Sequence, residues 1–140
     1  MNQDVKDQWL TALRSGDYEQ GTRSGLHSRD NKFCCLGVLC DLAVKAGVLP
    51  KAVQVGGNQN YEYRDTDPKR LNNGQPSLNG GYAPYEVMRW AGLSDCNPPM
   101  TVPDGKQTVP DGKRTDTLAL LNDSGNYDFA QLANLIEAQL

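Results

Sequence analysis

The chain has 140 residues, 17 acidic and 14 basic side chains, a formal net charge of -3 and 38% hydrophobic residues. That length fits one domain, and folding it buries roughly two-thirds of the unfolded surface, enough for a core without disulfides. The acidic balance, with a pI near 5.0, argues against duplex DNA as a partner, which needs a basic face, and no run reaches the ~18 apolar residues of a membrane span.

The charge is uneven. Residues 1–70 carry ten basic and nine acidic side chains, whereas residues 71–140 carry four and eight, so the negative excess lies in the second half. The opening MNQDVKDQWL has no basic-then-apolar leader. The expected location is therefore the cytoplasm, with Cys34, Cys35, Cys40 and Cys96 reduced.

A first helix is expected over 5–15, with Asp4 as N-cap, Val5, Trp9, Ala12 and Leu13 on one face, and Gly16 as the stop. Residues 17–32 read as a polar, turn-rich segment. The text CCLGVLCDLAVKA then predicts a broadly apolar helix over 34–46, closed by Gly47, Val48 and Pro50. Gly37 inside it costs helix propensity and marks close packing of another element. The runs VQV (53–55) and YEYR (61–64) alternate around GGNQN, which predicts a hairpin over 53–64 with Tyr61 and Tyr63 on one face. Turn chemistry follows, then a short helix over 84–91 with Pro84 at its first position. Residues 101–107 (TVPDGKQ) and 108–114 (TVPDGKR) are a tandem duplication, expected in an exposed, tolerant surface loop. The end reads as two helices, 116–122 and 128–139. Asp128 and Gln131 have capping-box spacing, and Phe129, Leu132, Ala133, Ile136 and Leu140 form the buried stripe. The expected fold is α+β, mainly helical: one domain, 1–140, with about five helices around one apolar central helix (34–46), a small β-hairpin (53–64) and long polar loops.

Three chemistries fit poorly. Cys34, Cys35, Cys40, Cys96 and His27 lack the paired C-x2-C spacing of zinc sites, and adjacent helical residues diverge, so core cysteines and no metal are expected. A thiol at a helix N-terminus gains thiolate character, which makes Cys34 or Cys35 a conceivable nucleophile. Its only histidine partner would be His27, in a polar loop where solvation is the ordinary state. The last helix offers Gln131, Asn134, Glu137 and Gln139 outward, without Lys or Arg, which disfavours a DNA-recognition helix. Paired acids such as Asp65 and Asp67 are explained by turn formation. No catalytic residues and no cofactor are therefore assigned. The remaining constellation is arginine and tyrosine in glycine-rich loops: Arg14, Tyr18, Arg23, Tyr61, Tyr63 and Arg64, with Lys69 and Arg70 nearby. Arginine forks bind phosphate, tyrosines stack on bases, and glycine backbone lets ligands approach.

The runs WLTALRSGDYEQG, FCCLGVLCDLA and LALLNDSGNYDFAQLANLIE resemble a family of small proteins from tailed phages and their bacterial hosts. The matching residues are Trp9, Arg14, Tyr18, Gln20, Cys35, Cys40, Asp41, Asn122, Asp123 and Phe129. Leu132 departs from the isoleucine of the pattern, and the TVPDGK duplication is peculiar to this chain. The resemblance implies an accessory factor acting in the host cytoplasm. Joined to the residues, it gives the expectation of a non-catalytic anti-defence protein that sequesters a small anionic signal, such as a cyclic or ADP-ribose-type nucleotide. The ligand would be held by the six named residues, in a pocket that a homo-oligomer could share. The alternatives are an inhibitor that blocks a host protein, and a cysteine-dependent hydrolase.

Overall fold

The computed structural model describes residues 1–54, 57, 60–65, 81–105 and 112–140. Helix α1 spans Gln3–Ser15 and starts two residues earlier than the sequence suggests. The cap is Asn2, not Asp4: its Oδ1 accepts from the N–H groups of Asp4 and Val5, and its own N–H donates to Ala91 O at 2.8 Å. Tertiary anchoring of Asn2 thus decided between two good capping residues. The helix ends at Gly16, in the left-handed conformation.

Helix α2 spans Cys35–Lys45, with Cys34 as N-cap. Seven of its residues, from Cys35 through Cys40 plus Ala43, are buried. Its C-terminus closes as expected: Val48 N–H donates to Ala43 O and Gly47 N–H to Val44 O, with Gly47 at φ 74. It packs against α1 and against two further helices, α3 (Tyr85–Ala91) and α4 (Leu118–Asp123). The last helix, α5 (Phe129–Gln139), carries the expected Asp128–Gln131 capping box and packs on α1. Helix α3 has no cap of its own; Asp65 supplies one from a distance, its Oδ2 accepting from Tyr85 N–H at 3.3 Å. Among the described residues there are thus five helices, and none is long and apolar enough to cross a membrane.

Three two-stranded sheets among the described residues complete the α+β fold. Strands β1 (Glu19–Gln20) and β2 (Lys32–Phe33) pair in parallel across the segment read as irregular, and β3 (Val53–Gln54) pairs with β4 (Tyr61–Glu62) at the expected hairpin. Val55 of that hairpin, with Asp67, Lys69 and Arg70, lies outside the described residues. The third sheet corrects the reading of 101–114 as surface loop. Strands β5 (Pro99–Pro103) and β6 (Lys113–Thr117) form an antiparallel hairpin with Val102 opposite Arg114, and Met100 and Val102 are buried at 0% and 1% exposure. The ends of the duplication are strand; 106–111 lie outside the described residues. Two prolines in the strand PMTVP hid it, because proline weakens any strand reading.

Two changes test this architecture. A Cβ at Gly37 would lie 1.7 Å from Leu26 O, on backbone that cannot yield. Gly37→Ala is expected to cost at least ~3 kcal/mol, the upper range of overpacking, read as a fall in the urea midpoint. A variant lacking residues 105–111 keeps the Val102–Arg114 pair and closes it with Pro103, Asp104, Gly112 and Lys113. That is an ordinary hairpin loop length, so its melting temperature should stay within ~5 °C of wild type.

Candidate functional site

The segment between β1 and α2 builds the site. Ser28 N–H donates to Lys32 O at 2.8 Å and Asn31 N–H to Ser28 O at 3.0 Å, with Asn31 at φ 61, so residues 28–32 form a tight turn. This folds His27 back beside Phe33, and Tyr61 N–H donates to His27 O at 2.9 Å. Leu26, one residue earlier, is fastened to the start of α2. Its carbonyl accepts from Cys34 N–H at 3.1 Å and presses on Gly37.

His27 is buried, contrary to the expectation of a solvated loop histidine. Its ring is sandwiched between Phe33 (3.9 Å between centroids) and Tyr61 (4.3 Å). Asn31 Oδ1 lies 3.0 Å from Nε2, and an amide oxygen can only accept, so Nε2 carries the proton. Nδ1 then accepts from the Tyr63 hydroxyl at 3.5 Å. Burial lowers the His27 pKa and raises that of Tyr63. Both ring nitrogens are occupied, so His27 is not the base of a thiol pair. Cys34, Cys35 and Cys40 are buried free thiols. Cys34 accepts from Gly37 N–H at 3.4 Å. Hydrogen bonding from Cys35, and secondly from the backbone of α2, lowers its pKa, whereas burial raises those of Cys35 and Cys40.

Against the outer side of this stack lies a pocket of about 240 Å³, lined by Arg23, Ser24, Gly25 and Leu26 from the loop, by Asn60 and the β4 residues Tyr61 and Glu62, and by Gly81. Asn60 stitches its two walls, accepting from Arg29 N–H at 3.1 Å and donating to Ser24 O at 3.2 Å. Among the described residues, Ser24 Oγ and Glu62 Oε2 are enclosed without a hydrogen-bond partner. Arg23 is exposed, with its backbone in the left-handed region at φ 56, a conformation held by Asp123, whose Oδ1 accepts from Arg23 N–H at 2.9 Å. Such a backbone costs of order 1–3 kcal/mol in a residue with a side chain.

The six ligand-binding residues expected from sequence do not share one pocket. Arg23 and Tyr61 meet at this one, and Tyr63 lies beside it in the histidine stack. Tyr18 meets Phe33 edge-on at 5.1 Å but lines a separate groove between α1 and α2. There its hydroxyl donates to Asp41 Oδ2 at 2.6 Å and accepts from Lys45 Nζ at 2.8 Å. Burial, then Asp41, raises the Tyr18 pKa, while Tyr18 and Asp41 raise that of Lys45. Arg14 joins α1 to α5, pairing with Glu137 at 2.6 Å and Asn134 at 2.8 Å, and it lowers the Glu137 pKa. Arg64 is half-buried, its Nε enclosed without a partner among the described residues. Sequence reasoning weighed arginines and tyrosines only and missed Ser24, Asn60 and Glu62. Their signal was weak: a serine in a glycine-rich loop, and polar residues flanking a tyrosine. No group of three or more metal-ligating side chains lies together among the described residues.

The buried neutral His27 makes stability pH-dependent. The unfolded chain takes up a proton near the ordinary value of 6.5, and the folded chain only below it. Between those values the unfolded state holds more protons, so stability rises with pH. Lowering the pH from about 7 to about 5.5 should reduce the urea midpoint of wild type, and His27→Gln should flatten that segment of the profile.

A profile of the family described as a domain of unknown function (DUF8296) matches residues 1–140, and the chain belongs to that family. No curated protein and no solved structure matches it.

Proposed function

We propose that this member of a family of unknown function is a non-catalytic binding protein that takes a small anionic, nucleotide-derived ligand into the pocket between residues 23–26 and β4. One observation carries the reading. Two polar atoms enclosed without partners among the described residues, Ser24 Oγ and Glu62 Oε2, belong to residues lining a pocket that also has an exposed arginine and a tyrosine. Enclosed polar atoms are normally satisfied, and a ligand bearing hydroxyl or amino donors would satisfy these. Arg23 offers a fork to a phosphate, and Tyr61 offers an aromatic surface to a base. The left-handed backbone at Arg23 adds support, because strain of this kind gathers at ligand clamps.

The apolar helix α2 is the central frame in this reading, since the pocket loop is fixed to its first turns through Leu26. The resemblance to small phage proteins supplies the setting: a host cytoplasm, and a nucleotide defence signal removed by sequestration rather than turnover. A protein that blocks a host factor is the competing reading; a cysteine hydrolase is disfavoured by the enclosure of Cys34 and the occupied nitrogens of His27.

Calorimetric titration with cyclic and ADP-ribose-type nucleotides tests the proposal. Wild type should bind one of them, and Arg23→Ala should bind it roughly tenfold to a hundredfold more weakly, the loss of one charge-assisted contact. Arg23→Gly should weaken binding similarly while holding or raising the melting temperature, because glycine accepts the left-handed backbone without strain. Arg14→Ala, away from the pocket, should leave affinity unchanged. Absence of heat with every nucleotide overturns the proposal in favour of a protein target.

A further inference from the structure

The two outer edges of the β5–β6 hairpin are treated differently. Asp104 N–H donates to Gly112 O at 2.7 Å, and Leu118 N–H to Pro98 O at 3.0 Å, both in register with the ladder. Bonded and non-bonded pairs alternate in an antiparallel ladder. Met100–Asp116 and Val102–Arg114 are therefore bonded pairs, while the backbone groups of Thr101 and Thr115 point away from the hairpin. On β5 that outward edge is covered. Gln139 of α5 donates from Nε2 to Thr101 O at 3.0 Å and accepts from Thr101 N–H through Oε1 at 2.8 Å, as a neighbouring strand would. Pro99 and Pro103 bring no N–H to the same edge.

Among the described residues, no side chain bridges the outward backbone groups of Thr115 on β6 in this way. No third strand pairs with β6 among the described residues, and Lys113, Arg114 and Thr115 are exposed. Its sequence, KRTDT, reads in a self-complementary way when turned about Thr115. In an antiparallel pair of two such strands, Thr115 faces Thr115, Arg114 faces Asp116, and Lys113 faces Thr117. The outward groups of Thr115 then form the central bonded pair, and the Arg114–Asp116 contacts fall in the flanking non-bonded positions, where facing side chains lie closest. Opposite charges facing one another stabilise a sheet, and like charges destabilise it. Within one chain Arg114 Nε already reaches Asp116 Oδ2 at 2.8 Å, so both side chains lie on one face, ready to exchange partners.

We propose that the β6 edge is a dimerisation surface, on which Lys113–Thr117 pairs antiparallel with the same strand of a second copy about a two-fold axis at Thr115, making a continuous four-stranded sheet. The reading is independent of the ligand pocket. A strand edge whose central outward groups, those of Thr115, meet no further strand among the described residues is a template for another strand, and here the register of charges selects the chain itself. The interface is small, so the dimer should be weak and concentration-dependent.

Sedimentation equilibrium of the full chain up to about 1 mM tests this, with four variants. Thr115→Pro removes only an outward N–H, a place where proline is tolerated; it should stay folded by circular dichroism and lose the dimer. Arg114→Asp sets like charges opposite each other twice and should weaken dimerisation about tenfold. The double exchange Arg114→Asp with Asp116→Arg should restore it. Thr115→Cys should form a symmetric disulfide dimer on mild oxidation, because bonded antiparallel partners sit ~5.5 Å apart, within disulfide range. A chain that remains monomeric throughout overturns the proposal. So does a dimer that persists unchanged in Thr115→Pro and Arg114→Asp.

Discussion

A single carboxamide fastens three separate parts of this chain. Asn122 in α4 is fully buried, and its four hydrogen-bonding positions are all filled. Oδ1 accepts from Cys35 N–H and from Gln20 Nε2, both at 3.2 Å. Nδ2 donates to Gly21 O at 2.8 Å and to Asp123 Oδ1 at 3.3 Å. The first turn of α2, the β1 segment and the C-terminal helix pair therefore cannot part without stranding a buried amide, at about 1–3 kcal/mol for each group left unpaired. Trp9 extends the same knot, its indole donating to Cys35 O at 2.9 Å across the α1–α2 contact. Gln20 thus meets Asn122 and Tyr127 in space, although over a hundred positions separate them in the chain.

The candidate pocket inherits its geometry from that knot. Gly21 O is held by Asn122 and Gly21 N–H donates to Phe33 O at 2.8 Å, which fixes the base of the loop. Asp123, next to Asn122, holds Arg23 in its left-handed backbone. Further along, Leu26 is clamped at Gly37, and His27 is enclosed by aromatic rings. A loop of polar and glycine residues has no periodic apolar face to order it. Here it is ordered by groups reaching in from α2, α4 and β4, which is what a preorganised binding loop requires.

The hairpin at 99–117 shows how one sequence feature serves two structural roles. Its first arm ends in the first three residues of the first TVPDGK copy, and its second arm begins with the last two residues of the second copy. One arm buries Met100 and Val102 and has its outer edge covered by a glutamine; the other exposes a charged strand edge. The difference between the edges is set by where α5 ends, at Gln139, a fact with no counterpart in the local text of either strand.

The sequence by itself determined the elements whose signals are local. The apolar arc and glycine stop of α2, the capping box of α5, the Gly16 end of α1 and the alternation around 53–64 each follow from residues within a few positions of one another, so periodicity and capping chemistry suffice to read them. Gly37 was legible for the same reason: a glycine in an otherwise strong helix needs a neighbour. Tertiary structure alone decided the rest. Asn2 displaced Asp4 as a cap because Ala91 holds its backbone, the proline-bearing β5 became a strand because β6 and Gln139 satisfy its backbone on both sides, and His27 became a buried neutral ring because Phe33, Tyr61 and Tyr63 enclose it. The six arginines and tyrosines read as one site were dispersed for a related reason. Their spacing records chemistry, but which of them share a pocket depends on pairings such as Arg14 with Glu137 and Arg23 with Asp123, made over about a hundred residues, where sequence proximity carries no information.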